Sequence, residues 1–200
     1  MKLILPLLAA VLLAGCGTTP TSSMPKYAVS LVNLEIIEQP EILIVGKLLR
    51  FNFDWSKPEN TPPALWQRCF ADGTFTTLEA LTNFIHNPSY VGYMDNYDPA
   101  DNAFDYICGM MMKPGTPVPD GFISRTVPAA KVANGWIKGK QNAEREIYDN
   151  AHTLTDKALA EHGLKYAPGA NWSMEVYTCP RFTTPDVDGF IILDYYLPCE

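Results

Sequence analysis

The sequence predicts an α+β domain made of duplicated β-α-β-β units, with antiparallel sheets, helices on one side and a concave face on the other. A strand, a helical stretch and two short strands follow one another in residues 34–112, and the same order returns in residues 122–198. Short turn-forming links join the last two strands of each unit, which predicts that each pair is antiparallel. Two such units pack into one domain with a layer of helices.

The first unit begins with residues 34–52, a β-rich stretch. Pro40 interrupts it and predicts a break or bulge, because proline donates no hydrogen bond to a strand ladder. Residues 62–87 predict two short helices separated at Gly73. The strands "YVGYMD" and "NAFDYICGMMM" follow, joined by the turn-forming "NYDPAD". These elements complete one β-α-β-β unit.

The second unit repeats this order. Residues 122–139 predict one strand, residues 140–163 a helix, and "WSMEVYTC" and "GFIILDYYLP" the closing strands. Gly163 supplies the C-terminal stop of the helix. The helix is the best supported element, because apolar residues recur at helical spacing: Ala143, Ile147, Ala151, Leu154, Ala158 and Leu159.

The N-terminus has the organisation of a secretory signal peptide. Lys2 precedes an apolar run at residues 3–13, which is too short for a spanning helix. The letters LAGC at residues 13–16 match a bacterial lipobox, which implies cleavage before Cys16 and acylation there, for example by palmitate. The alternative is a plain signal peptide with a chance cysteine. We therefore predict a signal peptide at 1–15, a lipidated tether at 16–31 and the folded domain at 32–200.

Acylation would anchor the chain to a membrane without spanning it. Gly17, where an Asp would otherwise follow the lipidated cysteine, resembles an outer-membrane address in Gram-negative lipoproteins. The expected location is the bacterial cell envelope, at the periplasmic face of the outer membrane.

Charge and motifs narrow the function classes. The 200 residues are 47% hydrophobic and carry a formal charge of −7, without a run of basic residues. Binding to phosphate backbones is disfavoured and cationic partners are electrostatically easier, so we expect no nucleic-acid partner. The order of residues matches no Ser-His-Asp enzyme, P-loop or Rossmann pattern, and we expect no cofactor.

Four further cysteines would meet an oxidising compartment: Cys69, Cys108, Cys179 and Cys199. Their even number allows two disulfides in three pairings, between which the sequence does not choose. Four buried or free thiols are the alternative. Their spacing does not fit a compact zinc site, so we expect no metal.

The stretch "ANWSMEVYTC" at residues 170–179 raises a question about Glu175. Apolar and other residues alternate along this predicted strand, and Glu175 projects from its middle. On a solvated face the carboxylate needs no explanation. On a pocket wall it would be costly unless it took up a proton or waited for a cation, which makes it a candidate functional residue.

Four motifs in order resemble the GyrI-like small-molecule-binding domain: "GYMDNYDP", residues 106–139 with their proline-rich loop, "MEVYTCP" and "DGFIILDYYLP". The resemblance covers residues 33–198. Ala130-Lys131 departs from the family's frequent Ala-Gly, and Trp136 stands where smaller or phenyl residues are usual.

The resemblance implies a ligand-binding concave face with Glu175 as its acid. The same domain forms the effector-binding half of multidrug-responsive regulators, where the equivalent acid pairs with cationic, lipophilic compounds in an aromatic pocket. The ligand-binding residues expected here are Glu175, Tyr177, Tyr93, Tyr106 and Trp136. Because this chain leaves no room for a helix-turn-helix beside the domain, we do not expect it to be a regulator itself.

Three functions remain open at this point. The first is a membrane-anchored binding protein for an amphipathic small molecule, either cationic or neutral. Some stand-alone members of the resembled family are hydrolases, so the second is an enzyme that opens strained or reactive lipophilic compounds. In that reading Glu175 is the catalytic base that activates water, and Tyr177 or Tyr93 donates a proton. A structural adaptor is the third.

"GMMM" at residues 109–112 also invites soft-metal or haem ligation, and SOUL-type haem-binding domains have a similar duplicated architecture. Adjacent residues on a strand point to alternate faces, however, which favours core packing for the three methionines. The histidines are scattered and form no site.

Overall fold

One antiparallel sheet of eight strands runs through residues 29–200, the part of the chain that the computed structural model describes. The predicted α+β class is confirmed. The predictions for residues 1–15 and Cys16, and for most of the tether, lie outside the described residues. The strands are β1 (Ser30–Gln39), β2 (Ile42–Phe51), β3 (Ile85–Asp98), β4 (Ala103–Met112), β5 (Ile123–Val127), β6 (Ala130–Lys140), β7 (Ser173–Tyr177) and β8 (Phe190–Pro198).

The α-helices are α1 (Pro62–Ala71), α2 (Thr74–Glu79) and α3 (Glu144–Glu161), and short 3-10 turns cover Pro58–Asn60, Thr82–Phe84 and Gln141–Ala143. Thr61 caps α1 by accepting a hydrogen bond from the Ala64 N–H. Gly73 separates α1 from α2 at a φ of 78°, as predicted, and Gly163 at a φ of 71° follows the end of α3. Both positions lie in the left-handed region, which glycine adopts at little cost.

The strand order is β1-β6-β8-β7-β3-β4-β2-β5. The first unit contributes β1 to β4 and the second unit contributes β5 to β8. If each strand is exchanged for its counterpart in the other unit, the order read backwards is identical to the order read forwards. The predicted duplication is therefore visible in the topology. The predicted antiparallel pairs, β3 with β4 and β7 with β8, are confirmed. The two units meet where β7 pairs with β3 at the centre of the sheet.

Two short links, each containing a proline, connect opposite ends of this sheet. Pro40 lies between β1, which pairs with β6, and β2, which pairs with β4 and β5. The single strand predicted for residues 122–139 is wrong, because Pro128 and Ala129 divide it into β5 and β6. Each two-residue link runs from one end of the sheet to the other, so the sheet must curl until its ends are neighbours.

The curled sheet buries side chains on both faces. Its concave face is filled by a core that includes Val91, Ile107, Val132, Met174 and Val176. On the convex face one core lies under α1 and α2, and another lies under α3. All three helices therefore cover the same face, as predicted.

Three of the four described cysteines and the three consecutive methionines are buried in the core. Cys69, Cys108 and Cys199 are buried and Cys179 is exposed, and all four are free thiols. Met111 packs in the concave core, whereas Met110 and Met112 pack under α1 and α2, as the alternation predicts. Residues 29–200 contain no group of three or more His, Cys, Asp or Glu placed to hold a metal ion. No helix in this range is long and apolar enough to cross a membrane.

Candidate functional site

Glu175 occupies the middle of β7, one of the two central strands. Its neighbours across the ladders are Gly92 on β3 and Tyr195 on β8. The residue is only 9% exposed. A carboxylate in such a place is unusual, because acids are seldom buried without a partner.

Two tyrosines hold the carboxylate. The hydroxyls of Tyr106 on β4 and Tyr177 on β7 both donate to Glu175 Oε2, each at 2.8 Å. Trp66 on α1 donates its Nε1–H to the Tyr106 hydroxyl oxygen, also at 2.8 Å. A chain of hydrogen bonds therefore runs from α1 through Tyr106 to Glu175.

Burial and the tyrosines act on the pKa of Glu175 in opposite directions. Burial raises this pKa, and the two donated hydrogen bonds lower it by a smaller amount, so the net effect is a rise. No lysine, arginine or histidine of residues 29–200 forms an ion pair with the carboxylate. An acid in this state either takes up a proton or gains free energy from a cation brought to it.

Gly92 makes room for the carboxylate. A Cβ at this position would lie 2.6 Å from Glu175 Oε2 and would overlap the Tyr106 hydroxyl. Any other residue at 92 would displace these groups. The glycine within "YVGYMD" was the sequence signal for this close approach, since glycine inside a strand often marks one.

Aromatic rings close the site from the helical side. The Tyr177 ring meets Trp66 and Phe182 edge-on, with centroids 4.7 Å apart in both pairs. Tyr148 of α3 lies 6.4 Å from the Tyr177 ring. Sequence reasoning missed Trp66, Tyr148 and Phe182, because nothing local indicates which side chains of the helices and of the loop after β7 reach the site.

Tyr93 and Trp136 do not lie beside Glu175, so the prediction that they surround it is wrong. Tyr93 follows Gly92 on β3 and therefore points to the concave face, where it stacks on Trp172. Trp136 follows Gly135, whose missing Cβ faces α3, so it too lies on the concave side. There the Arg181 guanidinium stands 4.0 Å from its ring.

Glu175 also lies on a different face of the sheet from the one predicted. We expected Glu175 on a concave face opposite the helices, but its carboxylate lies on the convex face beneath them. Glu175 shares its face with Tyr177 and, across the ladder, with Tyr195, which packs under α3, whereas core residues fill most of the concave side. What remains there is an open cleft of about 950 Å³, bordered by Tyr93, Trp172, Asp95, Asp98 and Asp105, which does not include Glu175.

Comparison with known proteins agrees with the fold and the placement of the motifs. Residues 35–199 match the model of the Cass2 family, described as integron-associated effector binding protein. The chain is also similar to the transcriptional regulator BrlR of Pseudomonas aeruginosa, with 28% identity over 177 residues. The match covers 88% of this chain and 59% of BrlR, so the chain spans about three fifths of the length of that relative.

Solved structures share the fold at low sequence identity. A putative bacterial transcription regulation protein from Staphylococcus aureus MU50 superposes with a TM-score of 0.59 at 14% identity, covering 84% of this chain and 98% of that one. SAV2435 bound to tetraphenylphosphonium also gives 0.59, at 12% identity, covering 84% of this chain and 94% of that one. These likenesses establish the architecture.

Proposed function

The chain belongs to the Cass2 family of integron-associated effector-binding proteins, and from that premise we propose that it is a membrane-anchored binding protein for amphipathic organic cations. Its ligand would be held in the aromatic site around Glu175. The observation that carries the proposal is the buried carboxylate whose side-chain partners are two tyrosine hydroxyls instead of a cation. A cationic ligand would supply the missing charge.

The chemistry of the surroundings favours a lipophilic cation over a hydrated one. Trp66, Tyr106 and Tyr177 present aromatic rings next to the acid. A desolvated cation gains roughly 1–2 kcal/mol from such a ring in addition to its attraction to the carboxylate. A small hydrated ion would lose its water without covering the apolar surface.

Access requires movement of the cover. Trp66 joins α1 to Tyr106, and α2 is a six-residue helix with three threonines, which have low helix propensity. The same aromatic cluster extends to Phe70, which is 60% exposed. We infer that a ligand reaches Glu175 by displacing α1 and α2, because both helices are short and Trp66 of α1 lies next to the tyrosines that hold the acid.

The anchor is the second part of the proposal and rests on the lipobox at residues 13–16. Acyl chains on Cys16 would hold the binding domain at a membrane surface through the tether that follows. Replacement of Cys16 by Ser should move the protein from the membrane fraction to the soluble fraction. Persistence in the membrane fraction would contradict the proposed anchor.

Tetraphenylphosphonium, the compound bound by SAV2435, is the probe for the binding test. Calorimetric titration of the full chain and of Glu175→Gln should show a ten- to hundredfold loss of affinity, about 1–3 kcal/mol. Triphenylphosphine oxide, a neutral compound of similar shape, should lose little. Glu161→Gln, an exposed acid at the end of α3, is the matched control. Equal losses for the cation and the neutral compound would exclude charge pairing.

Hydrolysis is the alternative function, and the chemistry of Glu175 supports it. Glu175 has a raised pKa, as suits a general base, and the Tyr177 hydroxyl donates to it at 2.8 Å. Tyr93, the other proton donor considered, lies on the concave face and cannot serve. An enzyme would bind substrate nearly as well after Glu175→Gln but lose turnover. Mass spectrometry of compounds incubated with both forms separates catalysis from binding.

A further inference from the structure

Two cysteine thiols meet beneath the cover of the Glu175 site. Cys69 lies on α1 and Cys108 on β4; both are fully buried in the same core cluster, and each thiol is a near neighbour of the other. Cys179 is exposed and Cys199 belongs to the core under α3. Among the described cysteines, this pair alone joins a helix of the cover to the sheet.

The position of the pair relates it directly to the site. Cys69 follows Trp66 by three residues, about one helical turn, and Cys108 follows Tyr106 by two residues on the same face of β4. Trp66 and Tyr106 are the residues whose hydrogen bond connects α1 to Glu175. Cys108 also pairs with Gly92, which pairs with Glu175. Cys69 therefore lies about one helical turn from Trp66, and Cys108 lies two residues along the strand from Tyr106, so both thiols are close to the hydrogen bond that connects α1 to the site.

We propose that Cys69 and Cys108 are the site of a reversible disulfide cross-link, which fastens α1 to β4 and holds the Glu175 site closed. In the reduced protein α1 would be free to lift, and in the oxidised protein it would not. The effect on ligand binding rests on the function proposed above, whereas the cross-link and its effect on α1 do not.

The chemistry is an ordinary thiol–disulfide exchange with a low-molecular-weight disulfide such as glutathione disulfide. The thiolate of Cys69 attacks one sulfur of the oxidant, forming a mixed disulfide and releasing one glutathione thiolate. Cys108 then loses its proton and attacks the Cys69 sulfur, releasing the second glutathione. Two protein thiols are oxidised, one disulfide is reduced, and the two protons end on the two released thiols.

Cys69 is suited to be the attacking residue. The hydrogen bond from Cys108 lowers the pKa of the Cys69 thiol, whereas burial raises the pKa of Cys108. Because both thiols are buried, the reaction needs a transient opening of α1. The same movement that admits a ligand would thus expose the thiols, and the cross-link would form when α1 returns.

The experiment compares one protein in two redox states. The full chain is incubated with glutathione disulfide or with dithiothreitol, and peptide mapping without reduction identifies linked cysteines. Hydrogen exchange of residues 62–71 is then measured in both forms. We expect a Cys69–Cys108 linked peptide, at least tenfold slower exchange in α1, and reversal by dithiothreitol. Exchange in α3 serves as the internal reference and should be unchanged.

Tetraphenylphosphonium titration of both forms adds the ligand arm. We expect at least tenfold weaker binding after oxidation, and no such change in Cys108→Ala, with Cys199→Ala as the matched control that keeps the redox effect. A map that links other cysteines, or none, overturns the proposal, as does unchanged exchange in α1. Equal affinity of the oxidised and reduced forms for tetraphenylphosphonium overturns the proposal that the cross-link controls ligand binding. If neither form binds the compound, the proposed function fails while the map and the exchange still decide the cross-link.

Discussion

The two units of this domain cover the same face of one sheet by different means. The second unit uses α3, a single helix of 18 residues, and the first uses α1 and α2, of 10 and 6 residues. Glu175 lies at the border between the two covers, with Trp66 of α1 on one side and Tyr148 of α3 on the other. The duplication therefore preserves the strand order but not the number and length of the covering helices.

A close approach to glycines of the sheet distinguishes α3. Gly135 and Gly139 on β6 let the helix approach the sheet closely. A Cβ on Gly135 would overlap Thr155 Oγ1, and one on Gly139 would lie 2.5 Å from Ile147 Cγ1. The first cover instead meets the site through the rings and the indole hydrogen bond of Trp66. The route of ligand entry proposed above makes α1 and α2 the movable wall of the site and α3 its fixed wall.

The largest effect should come from breaking the fixed wall. Gly135→Val forces two branches into the space of Thr155, which is fully buried, and we expect a loss of unfolding free energy of more than about 3 kcal/mol. Urea denaturation measures it. Gly163→Ala, where nothing lies within 4 Å but φ is 71°, should cost only about 1 kcal/mol. Similar losses in both variants would mean that the helix does not depend on this contact.

The next largest effect on stability should come from Glu175, which lies between the two walls. Burial raises the pKa of Glu175 above its ordinary value of 4.5, so the folded protein holds this proton more tightly than the unfolded chain. Its contribution to stability is therefore full below about pH 4.5 and is lost as pH rises through the folded-state pKa. Glu175→Gln should remove this loss and be more stable than the native protein at pH 8.

Denaturation at pH 4 and pH 8 checks the sign of this change. The native protein and the Gln variant should differ more at pH 8 than at pH 4, and Glu161→Gln should follow the native protein at both. A native protein that gains stability from Glu175 with rising pH would show that a cation already pairs with it.

Sequence reasoning predicted the parts of this comparison that depend on local pattern. The apolar repeat of α3, the stop at Gly163 and the division at Gly73 are properties of neighbouring residues. The association of Glu175 with Tyr177 is also local, because residues two apart on a strand share a face. Tyr106 was one of three aromatic residues from other strands that were expected around the acid, and it alone of the three is hydrogen-bonded to Glu175.

The errors concern relations between distant strands. Alternation along β3 shows that Gly92 and Tyr93 point to opposite faces, but only the register with β7 shows that Gly92 faces Glu175. Tyr93 and Trp136 were misplaced for that reason. The curl of the sheet depends on the links at Pro40 and Pro128 joining opposite ends, and no window of sequence contains both ends.

A moderate effect should come from the movable wall. Trp66→Phe keeps an aromatic ring but removes the Nε1–H that bonds the Tyr106 hydroxyl. We expect a loss of about 1 kcal/mol in stability and faster hydrogen exchange in residues 62–71 than in α3. If exchange quickens equally in both helices, the two walls open together and the distinction between them is wrong.

The smallest effect should come from the opposite face of the sheet. Tyr93→Phe removes a hydroxyl that borders the concave cleft, and its ring can keep its stack on Trp172. Tyr106→Phe, the same change on the convex face, removes the donor to Glu175 and leaves the Trp66 N–H without its acceptor. We expect Tyr93→Phe to alter tetraphenylphosphonium affinity less than twofold, below about 0.4 kcal/mol, and Tyr106→Phe to alter it five- to thirtyfold, about 1–2 kcal/mol. Because each variant loses one tyrosine hydroxyl group, titration of both compares the two faces of the sheet directly. A larger effect at Tyr93 would move the binding site from Glu175 to the concave cleft.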